Sequence, residues 1–114
     1  MSDTLRALAY TLYRAVRRKS AGLGDFWSDF AYGQPPFAPQ LREPVMWAGI
    51  SMFSDLAHAA MKARAYSQGL FLAEVTIPDG AHVVVRQTSR DPRHYSVMGT
   101  PAMLISLVTQ VTPV

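Results

Sequence analysis

Apolar positions along the chain change their spacing twice between residues 47 and 78. Trp47-Ala48-Gly49-Ile50-Ser51-Met52-Phe53 is a short apolar run, the alanine-rich residues 55–67 repeat at helical intervals, and Leu70-Phe71-Leu72-Ala73-Glu74-Val75-Thr76-Ile77 is rich in strand formers. This pattern predicts a strand, a helix and a second strand. Ser54 is placed to cap the helix, with Asp55 in its first turn, where the helix dipole favours a carboxylate. Leu56, Ala59, Ala60, Met61 and Ala63 supply the expected buried stripe, Lys62 and Arg64 sit toward the C-terminal end, and Gly69 is placed to stop the helix. Strand 70–77 is apolar on both sides except for Glu74 and Thr76, as expected of an interior strand. Glu74 is then expected at an edge facing water or beside a cation, with a catalytic carboxylate as the alternative.

Downstream, Pro78-Asp79-Gly80 is a turn signal, so 70–77 and 82–88 are expected to pair as an antiparallel hairpin. Residues 94–98 predict another strand. Thr100-Pro101 has the chemistry of a helix start, predicting a helix over 101–106, and the alternation over 107–112 predicts a closing strand. Upstream, residues 3–18 support two readings. Leu5, Leu8, Leu12 and Val16 fall near one face of a helix, whereas Tyr10, Leu12, Arg14 and Val16 would share one side of a strand. The strand reading places Arg14 among apolar neighbours, where a charge is costly unless it has an anion to bind. Residues 20–24 break what precedes them. Residues 25–32 predict a short helix with Phe26, Phe30 and Trp27 directed inward, ended by Gly33. Pro35, Pro36, Pro39 and Pro44 make residues 34–44 an extended proline-rich loop, either a binding segment or a surface connector. The fold expected is α+β: residues 1–114 as one domain, with a mixed, mostly antiparallel sheet and two to four short helices.

Composition narrows the function classes. A chain of 114 residues supports one core, burying about two thirds of the surface it would expose when unfolded. It is 49% hydrophobic and only 17% charged, against about a quarter charged in ordinary soluble domains. A protein partner or a second copy of the chain is therefore expected to cover some apolar surface. The absence of cysteine removes disulfides, thiolate catalysis and cysteine zinc sites. No run approaches the roughly 18 apolar residues of a membrane span, and Asp3 and Arg6 interrupt any signal-peptide order, so a cytoplasmic protein without membrane attachment is expected. The net charge of +3 is concentrated in Arg14, Arg17, Arg18 and Lys19. No RNA- or DNA-binding motif accompanies it, so nucleic acid is not the expected partner.

His58, His82 and His94 share no ligand spacing with one another or with a carboxylate, so no metal site is expected. Neither a phosphate loop of the G-x-x-x-x-G-K type nor a G-x-S-x-G elbow occurs. The residues of interest are Tyr13-Arg14, Gly49-Ile50-Ser51 and His94-Tyr95-Ser96.

In order, Leu12-Tyr13-Arg14-Ala15-Val16, Gly49-Ile50-Ser51-Met52-Phe53, the alanine helix and Leu72-Ala73-Glu74-Val75-Thr76-Ile77-Pro78 resemble small ADP-ribosyltransferase-like and RES-type domains. The resemblance implies a compact α+β fold that binds NAD in a cleft between two sheets. It implies that Arg14, on a first strand, contacts the phosphates or ribose of NAD, and that Ser51, on a second strand, supports the nicotinamide side. Tyr95 would line the pocket, with His94 as a polar anchor. Those transferases use a glutamate on a late strand, or in RES-type domains near the central helix. Here no glutamate follows Glu74, Asp79 and Asp91 fall in predicted turns, and Asp55 is the carboxylate at the helix. The alternative expectation is an accessory domain without chemistry that binds a protein partner or itself.

Overall fold

Residues 10–16 form a strand, β1 (Tyr10–Val16), in a computed structural model that describes residues 10–36, 38–66 and 68–114. The competing helical stripe began at Leu5 and Leu8, which lie outside the described residues. Leu12 and Val16 are buried and Arg14 is half-buried between them. After β1 come a single 3-10 turn (Leu23–Phe26), α1 (Ala38–Arg42), α2 (Pro44–Ala48), β2 (Ile50–Phe53), α3 (Leu56–Ala65), β3 (Phe71–Ile77), β4 (Val84–Gln87), β5 (His94–Met98), α4 (Pro101–Ser106) and β6 (Val108–Pro113). The strands make one antiparallel sheet in the order β4-β5-β2-β1-β3-β6, which gives the α+β class, with a single sheet where the resemblance implied a cleft between two.

The two faces of the sheet are covered differently. Leu12, Val16, Ile50, Met52, Val75 and Val97 point to one face and are closed over by Phe26 from the 3-10 turn and Leu104 from α4. On the other face, Ala59 and Ala63 of α3 pack against Leu72, with Tyr13, Ala15 and Phe53 beside them. Small side chains at i and i+4 let this helix lie close to the strands. Asp55, not Ser54, is its N-cap, accepting a hydrogen bond from the His58 amide at 2.8 Å. Leu56 and Met61 are about half exposed rather than part of the buried stripe.

Gly69 serves a purpose other than stopping the helix, which already ends at Ala65. A Cβ at Gly69 would lie 2.5 Å from the Val16 carbonyl oxygen, so the chain passes against β1 only because that atom is missing. Gly69→Ala is expected to cost about 1–3 kcal/mol as overpacking, read as a lower urea midpoint with an unchanged slope.

Several expectations change. The turn at residues 78–80 forms, with Gly80 at φ +87°, but β3 and β4 do not pair. β3 lies between β1 and β6, and β4 pairs with β5 at the far edge. Glu74 is accordingly neither at an edge nor ion-paired among the described residues; it stands half-buried between Tyr13 and Gln110. In place of a helix over 25–32 there is one 3-10 turn that buries Phe26, while Phe30 and Trp27 are exposed against Trp47 and Tyr32. The proline-rich stretch contains α1 and leads directly into α2. Pro44 occupies the first turn of α2, where a missing N–H costs nothing, so prolines here start helices rather than only excluding them. Trp47 and Ala48 consequently belong to α2, and strand β2 begins at Ile50.

Candidate functional site

β1 pairs with β3 along its whole length, and β2 pairs with β5 along its whole length, but β1 and β2 share one facing pair, Tyr13 and Phe53. Beyond that pair the two halves of the sheet part. A cavity of about 400 Å³ occupies the opening, walled by Arg14 and Ala15 of β1, Ile50 and Ser51 of β2, and Asp29 and Gln40 from the segment between them. Sites of this volume are of the size that holds small organic ligands.

Arg14 spans the gap. Its Nε donates to the Asp25 carbonyl at 3.0 Å and its Nη1 donates to the Ser51 carbonyl at 3.1 Å, so a side chain replaces the missing ladder contact. Burial pushes its pKa down, while the negative charges of Asp25 and Asp29 and the nearby Tyr32 pull it back up. A guanidinium remains charged in proteins. Among the described residues no carboxylate oxygen lies within 4.0 Å of it, because the one ion pair at that distance joins His58 and Asp91. The two nearby carboxylates are otherwise engaged: Asp25 accepts from the Gly22 and Arg17 amides, and Asp29 accepts from Gln40 Nε2 at 2.7 Å. A cation held only by carbonyls on the wall of a cavity has the chemistry to pair with an anion.

Ser51 is joined from behind by His94. The Ser51 Oγ and His94 Nε2 are 3.0 Å apart, and on the other side of the ring Nδ1 lies 2.9 Å from Thr88 Oγ1 and 3.3 Å from the Thr88 carbonyl. The carbonyl accepts only, which assigns the ring proton to Nδ1 and leaves Nε2 to accept from the serine hydroxyl. Thr88 Oγ1 continues the chain to Ser96 Oγ at 2.8 Å. Thr88, His94 and Ser96 are buried.

Burial holds the His94 pKa below the ordinary histidine value, against the opposing pull of the Thr88 carbonyl and of Asp91 and Glu43; Lys62 on α3 lowers it further. A depressed folded pKa makes protonation favour the unfolded chain. The contribution is therefore full above about pH 6.5 and is lost as pH falls through the lower folded value. Melting temperature is expected to drop between about pH 7.5 and about pH 5. His94→Gln should flatten that drop, and an unchanged slope in the variant would contradict the assignment.

The strand ends that carry Thr88 and His94 are fastened by non-local contacts that the sequence did not disclose. His58 Nε2 meets Asp91 Oδ2 at 2.5 Å, and Arg93 Nη1 donates to His58 Nδ1 at 3.1 Å. The Arg93 amide, and then His58, hold the Asp91 carboxyl below the usual carboxylate range. The Ser54 amide donates to the Arg93 carbonyl, and the Ser89 amide donates to Glu43 Oε1.

Of the four residues singled out from sequence, the structure brings together Arg14, Ser51 and His94. Tyr95 is not brought to them. It faces Met52 in the ladder and its ring meets Tyr10 edge-on at 5.7 Å, among residues packed on the main core. Alternation along β5 separates Tyr95 from His94 and Ser51 and leaves it on the face that Arg14 shares with Leu12 and Val16. Thr88 is the member that sequence reasoning missed. Among the described residues no group of three or more His, Asp or Glu is placed to hold a metal ion, and no helix is long and apolar enough to cross a membrane. No known protein family, curated protein or solved structure matches the chain.

Proposed function

We propose that the opening between β1 and β2 binds a phosphate-bearing dinucleotide of the NAD type, and that the chain is a small ADP-ribosyltransferase-like or RES-like domain. The observation that carries this reading is Arg14, a desolvated guanidinium on the cavity wall with no carboxylate within 4.0 Å among the described residues. A phosphate in the cavity would supply the missing charge with hydrogen bonds that a guanidinium fork is shaped to make. Ser51 adds a hydroxyl on the facing strand, and the parting of the sheet into two halves suits a ligand laid between them. Asp29 is the one carboxylate on the cavity wall among the described residues, available to sit beside a ribose once released from Gln40. Calorimetric titration with NAD is the direct test: saturable heat is expected, and its absence at millimolar ligand would refute the reading.

A second reading, assembly with a protein partner or another copy, is supported by the exposure of Leu41, Tyr66 and Leu70, each more than 60% accessible. Light scattering decides it, since a monomer at high concentration excludes self-association.

A further inference from the structure

Ser51 has more than the geometry of a pocket wall. Its hydroxyl is 3.0 Å from a histidine nitrogen that has a free lone pair, and the histidine is held from behind by a third group, Thr88. Nucleophile, base and orienting group in this order is the arrangement that activates a serine. A structural serine needs only one acceptor, and any backbone carbonyl would serve. Here the acceptor is a buried imidazole, fixed as one tautomer by the Thr88 carbonyl, and the hydroxyl it faces belongs to a residue of the cavity wall. On the same residue, the Ser51 carbonyl accepts from the Arg14 guanidinium, so the cation proposed to hold phosphate is anchored to the backbone of the residue that carries the hydroxyl.

We infer that Ser51 is a nucleophile toward the ligand of this cavity, with His94 as its base and Thr88 as a positioning residue, and that the ribosyl carbon of the bound dinucleotide is transferred to Ser51 Oγ. This rests on the dinucleotide reading above. In the step, Oγ bonds to the anomeric carbon while the bond from that carbon to the pyridinium nitrogen breaks. The electron pair of the broken bond stays with the leaving nicotinamide, which departs neutral, and the serine proton passes to His94 Nε2. One positive charge enters on the pyridinium and one is left on the imidazolium, so charge balances. His94 is buried and neutral before the step; the charges of Asp91 in the loop before β5 and Glu43 before α2 favour the imidazolium, with Lys62 of α3 opposing. A neutral base fixed as one tautomer is suited to accept a proton and then return it to water.

The test uses two electrophiles on the full chain. NAD labelled in its adenylate phosphate is expected to leave label on Ser51, located by peptide mapping, with one nicotinamide released per labelled chain. A fluorophosphonate probe, which does not depend on dinucleotide recognition, is expected to modify the same serine. Its rate should fall by about a hundredfold or more in His94→Gln, the scale of a lost general base. The wild-type fluorophosphonate rate against pH is a readout that needs no variant: it should rise through a midpoint below the ordinary histidine value and then level off. A rate that climbs only in proportion to hydroxide, or that matches an exposed serine, would overturn the activation of Ser51. Binding of NAD with no label on Ser51 would overturn the transfer while leaving the dinucleotide site standing. Fluorophosphonate labelling without any NAD binding would instead remove the dinucleotide reading, and the ribosyl step with it.

Discussion

Arg14→Ala is expected to abolish the stabilisation that NAD confers on the chain. A ligand at about a hundred times its dissociation constant adds roughly 2.7 kcal/mol to the folded state. In a domain of this size that corresponds to a rise in melting temperature of about ten degrees or more. The loss has one physical cause: without the guanidinium, a dinucleotide phosphate would enter an opening whose neighbouring charges, Asp25 and Asp29, are both negative. Removing the side chain also leaves the Asp25 and Ser51 carbonyls without their donor, which should lower intrinsic stability by about 1–3 kcal/mol. The comparison is therefore between the ligand-induced shifts, each taken against the same protein without ligand. Arg14→Lys should recover part of the effect, because an ammonium restores charge but not the planar fork that reaches both carbonyls. A full NAD shift in Arg14→Ala would end the proposed role of this residue.

The part of this site that lies within single strands was legible in the sequence. A charged residue at position 14, flanked at alternate positions by Leu12 and Val16, signalled that a strand here would need an anion, and the strand places Arg14 between two buried neighbours. Ser51 and His94 were visible as polar residues in otherwise apolar strands. Their hydrogen bond was not, because it depends on β2 and β5 pairing so that Phe53 faces His94. Pro78-Asp79-Gly80 shows the same limit: local chemistry specifies a turn but not which strand the chain reaches after it. Here the chain leaves β3 in one half of the sheet and enters β4 at the opposite edge. The His58–Asp91 pair lies 33 residues apart and carries no spacing signal at all. In the proline-rich stretch, the number of prolines argues against helix, whereas their effect depends on position, and Pro44 sits in a first turn.

Phe26→Ala is expected to destabilise the chain by about 3–5 kcal/mol, a large part of the roughly 5–15 kcal/mol that holds a domain folded. Phe30→Ala is expected to cost about 0.5–1.5 kcal/mol, the scale of a surface aromatic pair. The sequence spacing would make the two equivalent, as inward residues four apart on one helix. The structure separates them: Phe26 is 1% exposed under the central strands, and Phe30 is 59% exposed with its ring edge-on to Trp47 at 4.9 Å. Burial of Phe26 also fixes the turn within which Asp25, the residue before it, offers its carbonyl to Arg14. Phe26→Ala that remains folded should therefore bind NAD more weakly than Phe30→Ala does. Urea unfolding of both variants measures the first difference and titration with NAD the second. Equal urea midpoints would contradict the assignment of Phe26 to the core and of Phe30 to the surface.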